Sequence, residues 1–564
     1  MHSLDRQMNR SIARQLGTRQ DLLLWILAIG AVVTYFLDIL VDNAVSFHDE
    51  YVYKAAADHR LPPAELYAKG AIEYIPNRLY LAVYRIASWS EQNYYAAAQF
   101  FNVVFWALGL LAVCRLAQLL GVTGKRLVVF AVLAVLLPFA IYTKYFMPEA
   151  MYFCLFACGA FLLFKAIASG SQRLMLAAGL LAGLAYYVKP HALIFFGATM
   201  LFLLATGAGV AGRWRSVGAY GAGFVLVVIA GTLVIDKPQG LARLGVYDQM
   251  VKGMMGTATT ILQAPGAHLS AVGTVGIGHV VLLLSSWTIP LALAASACVA
   301  TWRAARAGTD DAAGQDARLF GVWLLVMVAA LVCVVVAFTV LVAEVGRIHS
   351  RYYCFLYPFL LLGLFLYEPA RHGRGSKLAM SAVALILGLA LLAMPAYSGI
   401  LGISLVSDSP ELGFAFFPRP VAGAAVVLLV ASQLWAVWRS PRPFWLILAL
   451  TFACSQYYVR QSQGQIFRGP YTDGRDAAAV EQVLGAERLR GAVVMGDSRD
   501  AVSKFLFNLS VVPVVAQRPF DQAATLVKDY PNADTFLLLT DKVDDIPGLS
   551  CEKLGQRVVR CLKK

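Results

Sequence analysis

The apolar stretch DLLLWILAIGAVVTYFLDILV, residues 21–41, decides the fold class of this chain. A helix needs about 20 apolar residues to cross a bilayer, and stretches of this kind recur along the chain as far as Val459. Hydrophobic residues make up 59% of the 564 positions, and the mean hydropathy is +0.66. Because a soluble core cannot bury so much apolar surface, the sequence predicts a polytopic α-helical membrane protein.

The positive charge of the chain lies mainly in short loops, which orients the predicted spans. We predict about thirteen transmembrane helices, near residues 21–41, 93–120, 127–143, 150–168, 173–188, 191–208, 217–235, 277–301, 319–343, 353–367, 378–400, 419–437 and 443–459. The net charge of +14 follows the positive-inside rule if the basic leader, residues 1–20, is cytoplasmic. Alternate loops then carry the basic residues Lys125, Arg126, Arg173, Arg213, Arg215, Arg303, Arg306, Arg318, Arg371, Arg374, Lys377, Arg439 and Arg442. This charge pattern argues against a nucleic-acid partner.

The tail, residues 460–564, has the composition of a soluble domain. Buried-strand patterns at 490–496, 511–515 and 535–540 alternate with helical patterns at 499–508 and 519–529, so we predict a small C-terminal α/β domain. An odd number of spans would place it in the periplasm. A disulfide between Cys551 and Cys561 would be allowed there, and their spacing leaves the pairing open.

Two adjacent carboxylates follow the first span, in the stretch SFHDEYVYK, residues 46–54. Asp49 and Glu50 are either a functional site against the bilayer surface or the start of a solvated loop. They begin the first outer loop, about 42–92. Apolar residues between 80 and 87 recur there at three- and four-residue spacing, which predicts a helix lying in the membrane interface.

Four cations lie on the outer face, where the positive-inside rule disfavours them. They are Lys144, Lys189, Arg347 and Arg351. Each one alone could be a snorkelling side chain, but together they indicate an anionic ligand at the outer surface. Glu149 follows Lys144 closely and is either part of this site or an ordinary helix-start carboxylate. The remaining long outer loop, about 236–276, is rich in Gly and Met, and either packs in the interface or closes over a substrate.

The order of these motifs resembles the GT-C superfamily of glycosyltransferases. The motifs are Asp-Glu-x-x-Tyr at 49–53, Pro-Glu at 148–149, Lys-Pro at 189–190, and Arg-Tyr at 351–352 before a span that contains Pro358. Protein O-mannosyltransferases and the aminoarabinose transferase that modifies lipid A belong to this superfamily. The resemblance covers about residues 20–460, so residues 21–459 would form the catalytic membrane domain.

The resemblance implies that a sugar is transferred from a polyprenyl phosphate to an acceptor hydroxyl, with inversion at the anomeric carbon. Asp49 matches the catalytic aspartate, which would take the acceptor proton as general base. Glu50, the second catalytic residue, matches a supporting acidic position that would orient the acceptor or hold a divalent cation. The residues expected to bind the donor phosphate are Arg351, Lys189, Lys144 and Arg347.

The roles of Glu149 and His48 are left open between holding the acceptor and supporting a metal. A divalent cation is an open alternative, because the sequence has no ligand cluster of diagnostic spacing. The expected partners are a polyprenyl-phosphate-linked sugar, an acceptor that is a glycan, a lipid or a protein, and membrane lipids. A transporter, flippase or ligase of lipid-linked sugars is the alternative function. The charged residues cluster at the outer ends of the spans and not at the bilayer midplane, which favours the transferase in a bacterial inner membrane.

Overall fold

The computed structural model describes residues 23–33, 78–89, 94–189, 191–206, 210–235, 265–307, 315–341, 352–401, 419–467, 472–496, 502, 505–506, 509, 513–516, 525–540 and 546–564. The chain forms two compact units. The first comprises Met1–Tyr35, Val103–Ile141 and Glu149–Arg460, and the second comprises Phe36–Asn102, Tyr142–Pro148 and Gln461–Lys564.

Most of the described residues are helical. The helices are α1 Leu23–Val33, α2 Arg78–Tyr84, α3 Tyr94–Leu119, α4 Gly124–Val135, α5 Glu149–Ser169, α6 Gln172–Val188, α7 Ala192–Thr206, α8 Val210–Ile235, α9 Pro265–Ala307, α10 Gln315–Leu341, α11 Tyr357–Leu366, α12 Arg374–Leu401, α13 Arg419–Trp438, α14 Arg442–Phe467, α15 Thr472–Gly491 and α16 Leu526–Asp529. Short 3-10 helices cover Arg85–Trp89, Pro138–Lys144, Cys354–Leu356 and Pro369–Arg371.

Five helices within the described residues are long and apolar enough to cross a membrane. They are Ala97–Leu119, Glu149–Ser169, Gly212–Gly231, Gln315–Ala337 and Pro420–Trp438. Shorter apolar helices cover Leu23–Val33, Gln172–Val188, Ala192–Thr206 and Cys354–Leu366. The structure therefore contains helices of the kind that the composition predicted. The total of thirteen transmembrane helices remains a prediction.

Helices α6 and α8 cross closely in the first unit because glycines line their contact. A Cβ atom on Gly179 would overlap the carbonyl oxygen of Tyr220, and one on Gly223 would overlap that of Leu176. Gly183, one turn after Gly179, would bring a Cβ to 2.7 Å from the Cβ of Val227. Small residues four apart allow two membrane helices to approach at backbone distance.

Two predicted spans differ from the structure at prolines. The span predicted at 127–143 is helical only to Val135, and a 3-10 helix begins at Pro138, because proline lacks the N–H that would continue the α-helix. The span predicted at 277–301 belongs to α9, which starts at Pro265. Residues 265–276 were therefore wrongly predicted as part of an outer loop. Proline suits the first position of a helix, and Pro290 lies just past the non-helical residue Trp287 inside α9.

A helix is present where the sequence predicted one in the first outer loop, as α2 and the 3-10 helix after it. Tyr80, Leu81, Tyr84 and Ala87 are buried, whereas Ile86, which the spacing placed on the same apolar face, is 55% exposed. The location of this helix in the membrane interface remains a prediction.

The C-terminal part of the second unit contains a five-stranded sheet of order β2-β1-β3-β5-β4. The strands are β1 Val493–Gly496, β2 Val514–Val515, β3 Thr535–Leu539, β4 Leu549–Lys553 and β5 Val558–Lys563. Strand β1 pairs in parallel with β2 and β3, and β5 pairs antiparallel with β3 and β4. The first three strands lie where the sequence predicted them, while α15 and the β4–β5 hairpin were missed.

A buried carboxylate and a disulfide hold the β4–β5 hairpin. Asp476 of α15 accepts the backbone N–H groups of Gln556 at 2.7 Å and Arg557 at 2.8 Å. Cys551 and Cys561 lie opposite each other in the two strands and form a disulfide. The pairing that the sequence left open is thus present.

Candidate functional site

The start of α5 and the end of α6 bring Glu149 and Lys189 together. Glu149 is the first residue of α5, and Lys189 directly follows α6, with its backbone N–H bonded to the carbonyl of Ala185 at 2.8 Å. The Lys189 Nζ atom lies 2.6 Å from the Oε1 atom of Glu149. The sequence assigned these residues to two separate outer loops, and the structure joins them in one ion pair.

This ion pair is buried at the ends of apolar helices. Glu149 is 5% exposed and Lys189 is 8% exposed. Removing two charges from water costs several kcal/mol per ion, which their attraction offsets only in good geometry. A lysine ammonium has three donors, so Lys189 can pair with Glu149 and still donate to a second acceptor.

Aromatic rings and a histidine surround the turn that carries the ion pair. The Nζ atom of Lys189 lies 5.6 Å from the ring centroid of Tyr352, in reach of a cation–π attraction. The ring of His191 lies 5.0 Å from Tyr152, 5.9 Å from Tyr352 and 6.4 Å from Phe355, between centroids.

In the second unit, two amide side chains of α3 hold the backbone of the Lys144 segment. The Nε2 atom of Gln99 donates to the carbonyl oxygen of Lys144 at 2.7 Å, and the Nδ2 atom of Asn102 donates to that of Tyr145 at 2.6 Å. The hydroxyl of Tyr84 in turn donates to the Oδ1 atom of Asn102. Lys144 itself is 6% exposed. The end of the 3-10 helix Pro138–Lys144 and the residue after it are thereby fixed by side chains whose polar groups would otherwise be costly to bury.

In the first unit, Gln456 of α14 stabilises the end of α4. Its Nε2 atom donates to the carbonyl oxygens of Leu136 at 2.8 Å and Leu137 at 3.0 Å. The α-helix ends at Val135, just before these two residues, and the carbonyl of Leu137 also accepts the backbone N–H of Ala140 at 3.1 Å. Gln456 thus adds side-chain donors where the chain leaves the α-helix, as a backbone break in a membrane protein requires.

Four residues that contact the ends of these helices were not predicted from the sequence. They are Gln99, Asn102, Gln456 and His191. Gln99 and Asn102 could have been recognised in the sequence as buried hydrogen-bonding residues, because two amides one turn apart in an apolar span are uncommon. Among the described residues, no group of three His, Cys, Asp or Glu side chains could hold a metal ion. Five predicted site residues, His48, Asp49, Glu50, Arg347 and Arg351, lie outside the described residues.

Comparisons with known proteins found similarity only among solved structures. No family model matches the chain, and no curated protein matches it. A crystal structure of ArnT from Cupriavidus metallidurans bound to undecaprenyl phosphate has a TM-score of 0.45 and 13% identity, covering 96% of this chain and 97% of ArnT. The apo crystal structure of the same protein has a TM-score of 0.46 and 14% identity, covering 97% of this chain and 98% of ArnT.

Proposed function

We propose that this chain is a membrane glycosyltransferase that moves a sugar from a polyprenyl phosphate donor to an acceptor hydroxyl. The reaction takes place at the periplasmic face of a bacterial inner membrane and inverts the anomeric carbon. Residues 21–459 form the catalytic membrane domain in this proposal, with residues 1–20 in the cytoplasm and residues 460–564 in the periplasm. The disulfide of Cys551 and Cys561 supports an oxidising compartment for the tail.

The buried ion pair of Glu149 and Lys189 is the observation that carries the proposal. An apolar pair of similar volume would stabilise the same helix ends about as well, so stability alone gives little reason to bury two charges there. Ionisable groups inside a membrane protein mark functional sites by default. The pair also joins two of the four motifs on which the resemblance to GT-C glycosyltransferases rests.

The chemistry assigned to the cations is stabilisation of the leaving phosphate. As the acceptor oxygen bonds to the anomeric carbon, the bond from that carbon to the phosphate oxygen breaks, and negative charge grows on the phosphate. A fixed cation in a site that excludes water stabilises this charge. Lys189 fills that role here, Arg351 adds a guanidinium fork for the phosphate oxygens, and Lys144 and Arg347 are further donors to the same group.

The acceptor hydroxyl must lose its proton as it attacks. We assign Asp49 as the general base that takes this proton, with Glu50 beside it. Glu149 orients Lys189, and either Glu149 or His48 supports the acceptor or a divalent cation. The acceptor is a glycan, a lipid or a protein.

The direct test is to incubate inverted and right-side-out membrane vesicles with a labelled polyprenyl-phosphate sugar and to identify the product that carries the label. Asp49→Asn removes the basic oxygen and should lower the transfer rate per folded molecule by about 100- to 10,000-fold. Asp58→Asn, the same change in the same loop, is the matched control and should leave the rate unchanged. Labelled lipid that crosses the bilayer without sugar transfer would instead establish a flippase, and an unchanged rate in Asp49→Asn would remove this residue from the mechanism.

A further inference from the structure

Four cations gather where α12 begins and α13 ends, far along the chain from the ion pair. Arg374 and Lys377 lie in the first turn of α12, and Arg439 and Arg442 flank the turn between α13 and α14. Arg374, Arg439 and Arg442 are exposed. We call these four residues the basic patch. The described carboxylate nearest to it along the chain is the exposed Glu368, so the patch is strongly cationic.

The basic patch contains one cation that is held in place by an indole ring. The Nζ atom of Lys377 lies 5.8 Å from the ring centroid of Trp438. The Nε1 atom of Trp438 donates to the hydroxyl of Ser381 at 2.9 Å, and that hydroxyl donates to the carbonyl oxygen of Lys377 at 2.8 Å. The indole is 39% exposed. A half-exposed tryptophan beside a lysine is typical of the depth of lipid headgroups.

A histidine next to the basic patch adds no charge at neutral pH. The ring of His372 stacks on Tyr367 at 4.8 Å between centroids, and the Tyr367 hydroxyl donates to the carbonyl of Val437 at 3.3 Å. Burial, and then the charge of Lys377, lower the pKa of His372 below 6.5. Burial first, and Lys377 second, favour the neutral ring, so the charge of the patch comes from its arginines and lysine.

Exposed apolar faces continue from the basic patch along both helices. On α12, Leu378 is 55% exposed, Leu385 is 50% exposed and Leu389 is 68% exposed. On α13, Trp435 is 54% exposed and Leu428 is 54% exposed. The two helices pack against each other. A cationic end above two apolar faces matches a molecule with an anionic head and hydrocarbon chains.

We infer that the basic patch binds the phosphate of an anionic phospholipid, whose acyl chains lie against the exposed faces of α12 and α13. Lys377 on Trp438 contacts the phosphate, and the three arginines supply the surrounding positive field. The choice of an anionic lipid rests on charge complementarity, because a basic pocket at the ends of membrane helices attracts negatively charged headgroups. In the predicted topology this lipid belongs to the cytoplasmic leaflet.

The test is to titrate the purified full chain with dioleoylphosphatidylglycerol and to count bound lipids by native mass spectrometry. Dioleoylphosphatidylcholine, with the same chains and a zwitterionic head, should bind more weakly. Lys377→Gln should lower the affinity for the anionic lipid about fivefold, and Lys377→Gln with Trp438→Leu should lower it further. Arg303→Gln with Trp302→Leu likewise removes one cation and one tryptophan, near the end of α9, and should leave the affinity unchanged.

Three outcomes would overturn the inference. An equal loss of affinity in the Trp302 and Arg303 variant would show a diffuse attraction to all basic ends. Displacement of the lipid by sn-glycerol 3-phosphate alone would show a site for free phosphate. A dimer of the full chain that dissociates only in the Lys377 and Trp438 variant would assign the face to a second copy of the chain.

Discussion

Two buried carboxylates, one in each unit, are held in different ways. Glu149 is 5% exposed and pairs with the ammonium of Lys189 at 2.6 Å. Asp476 is 3% exposed and accepts two backbone N–H groups of the turn at Gln556 and Arg557. A side-chain cation can rotate to share its donors with a ligand, whereas backbone amides in a hairpin turn cannot move without unfolding it.

Under the proposed function, this difference separates a functional carboxylate, Glu149, from a structural one, Asp476. Gly555 supports this reading for the tail, because a Cβ at that position would overlap the Oδ1 atom of Asp476, so the turn and the carboxylate fit each other closely. The ion pair instead lies at the ends of the apolar helices α5 and α6, with Lys189 near the ring of Tyr352, which in turn contacts His191. We therefore expect Asp476 variants to change stability alone and variants of the ion pair to change catalysis as well.

The largest effect on stability should follow from breaking the ion pair on one side. Glu149→Leu leaves the ammonium of Lys189 buried without its carboxylate, which typically costs about 3–5 kcal/mol. The loss should appear as a lower melting temperature and a smaller folded fraction in size-exclusion chromatography. Lys165→Met, which removes an exposed lysine from the same helix, should have little effect. Wild-type stability in Glu149→Leu would show that the two charges do not interact strongly.

The sequence predicted the helices well because their signal is local. Apolar length alone placed α3, α5, α6 and α7 within two residues at every end. It could not predict the contact of Glu149 with Lys189, which are 40 residues apart, because that contact depends on how α5 and α6 cross. Pro138 marked a point in the sequence where the α-helix could end, but the apolar run on both sides of it led to the prediction of one continuous span.

In the tail, the parallel strands were predicted and the β4–β5 hairpin was not. Strands β1 and β3 consist mainly of apolar residues. Every residue of β3 is buried, and so is every residue of β1 except the last. Strand β4 reads LSCEK and is mostly exposed or half-buried, so its hydrophobic signal is weak. Its place in the sheet depends on pairing with β5 and on the disulfide, which are contacts that local pattern does not reveal.

The next effect in size concerns the disulfide, which should stabilise the tail without touching catalysis. Cys551→Ala with Cys561→Ala should lower the stability of this region by about 2–4 kcal/mol. Pulse proteolysis of the full chain in increasing urea measures it, and Cys454→Ala, an exposed free cysteine, is the control. Alkylation of all 9 cysteines in unreduced, denatured protein would contradict the disulfide itself.

The smallest of these stability effects should come from Asp476→Asn. One of its two acceptor oxygens becomes an NH₂ group that faces a backbone N–H, and an unsatisfied buried donor costs about 1–3 kcal/mol. Hydrogen exchange of the peptide that contains Gln556 and Arg557 should speed up in the full chain. Asp529→Asn, which changes an exposed carboxylate of the same unit, should leave this exchange rate as it is. A reduced rate of sugar transfer per folded Asp476→Asn molecule would contradict the distinction between Glu149 and Asp476, because Asp476 would then affect catalysis as well as stability.

The most direct test of the central claim is the rate of sugar transfer in the double variant Glu149→Leu with Lys189→Met. Replacing a buried ion pair by apolar side chains of similar size often leaves stability unchanged, so the double variant should fold in nearly wild-type amounts where the single variant does not. If Lys189 stabilises the leaving phosphate, transfer per folded molecule should fall by about 100- to 1000-fold, as it does when a donor to a developing anion is removed. A folded double variant that transfers sugar at the wild-type rate would contradict the claim, because the pair would then serve the fold alone.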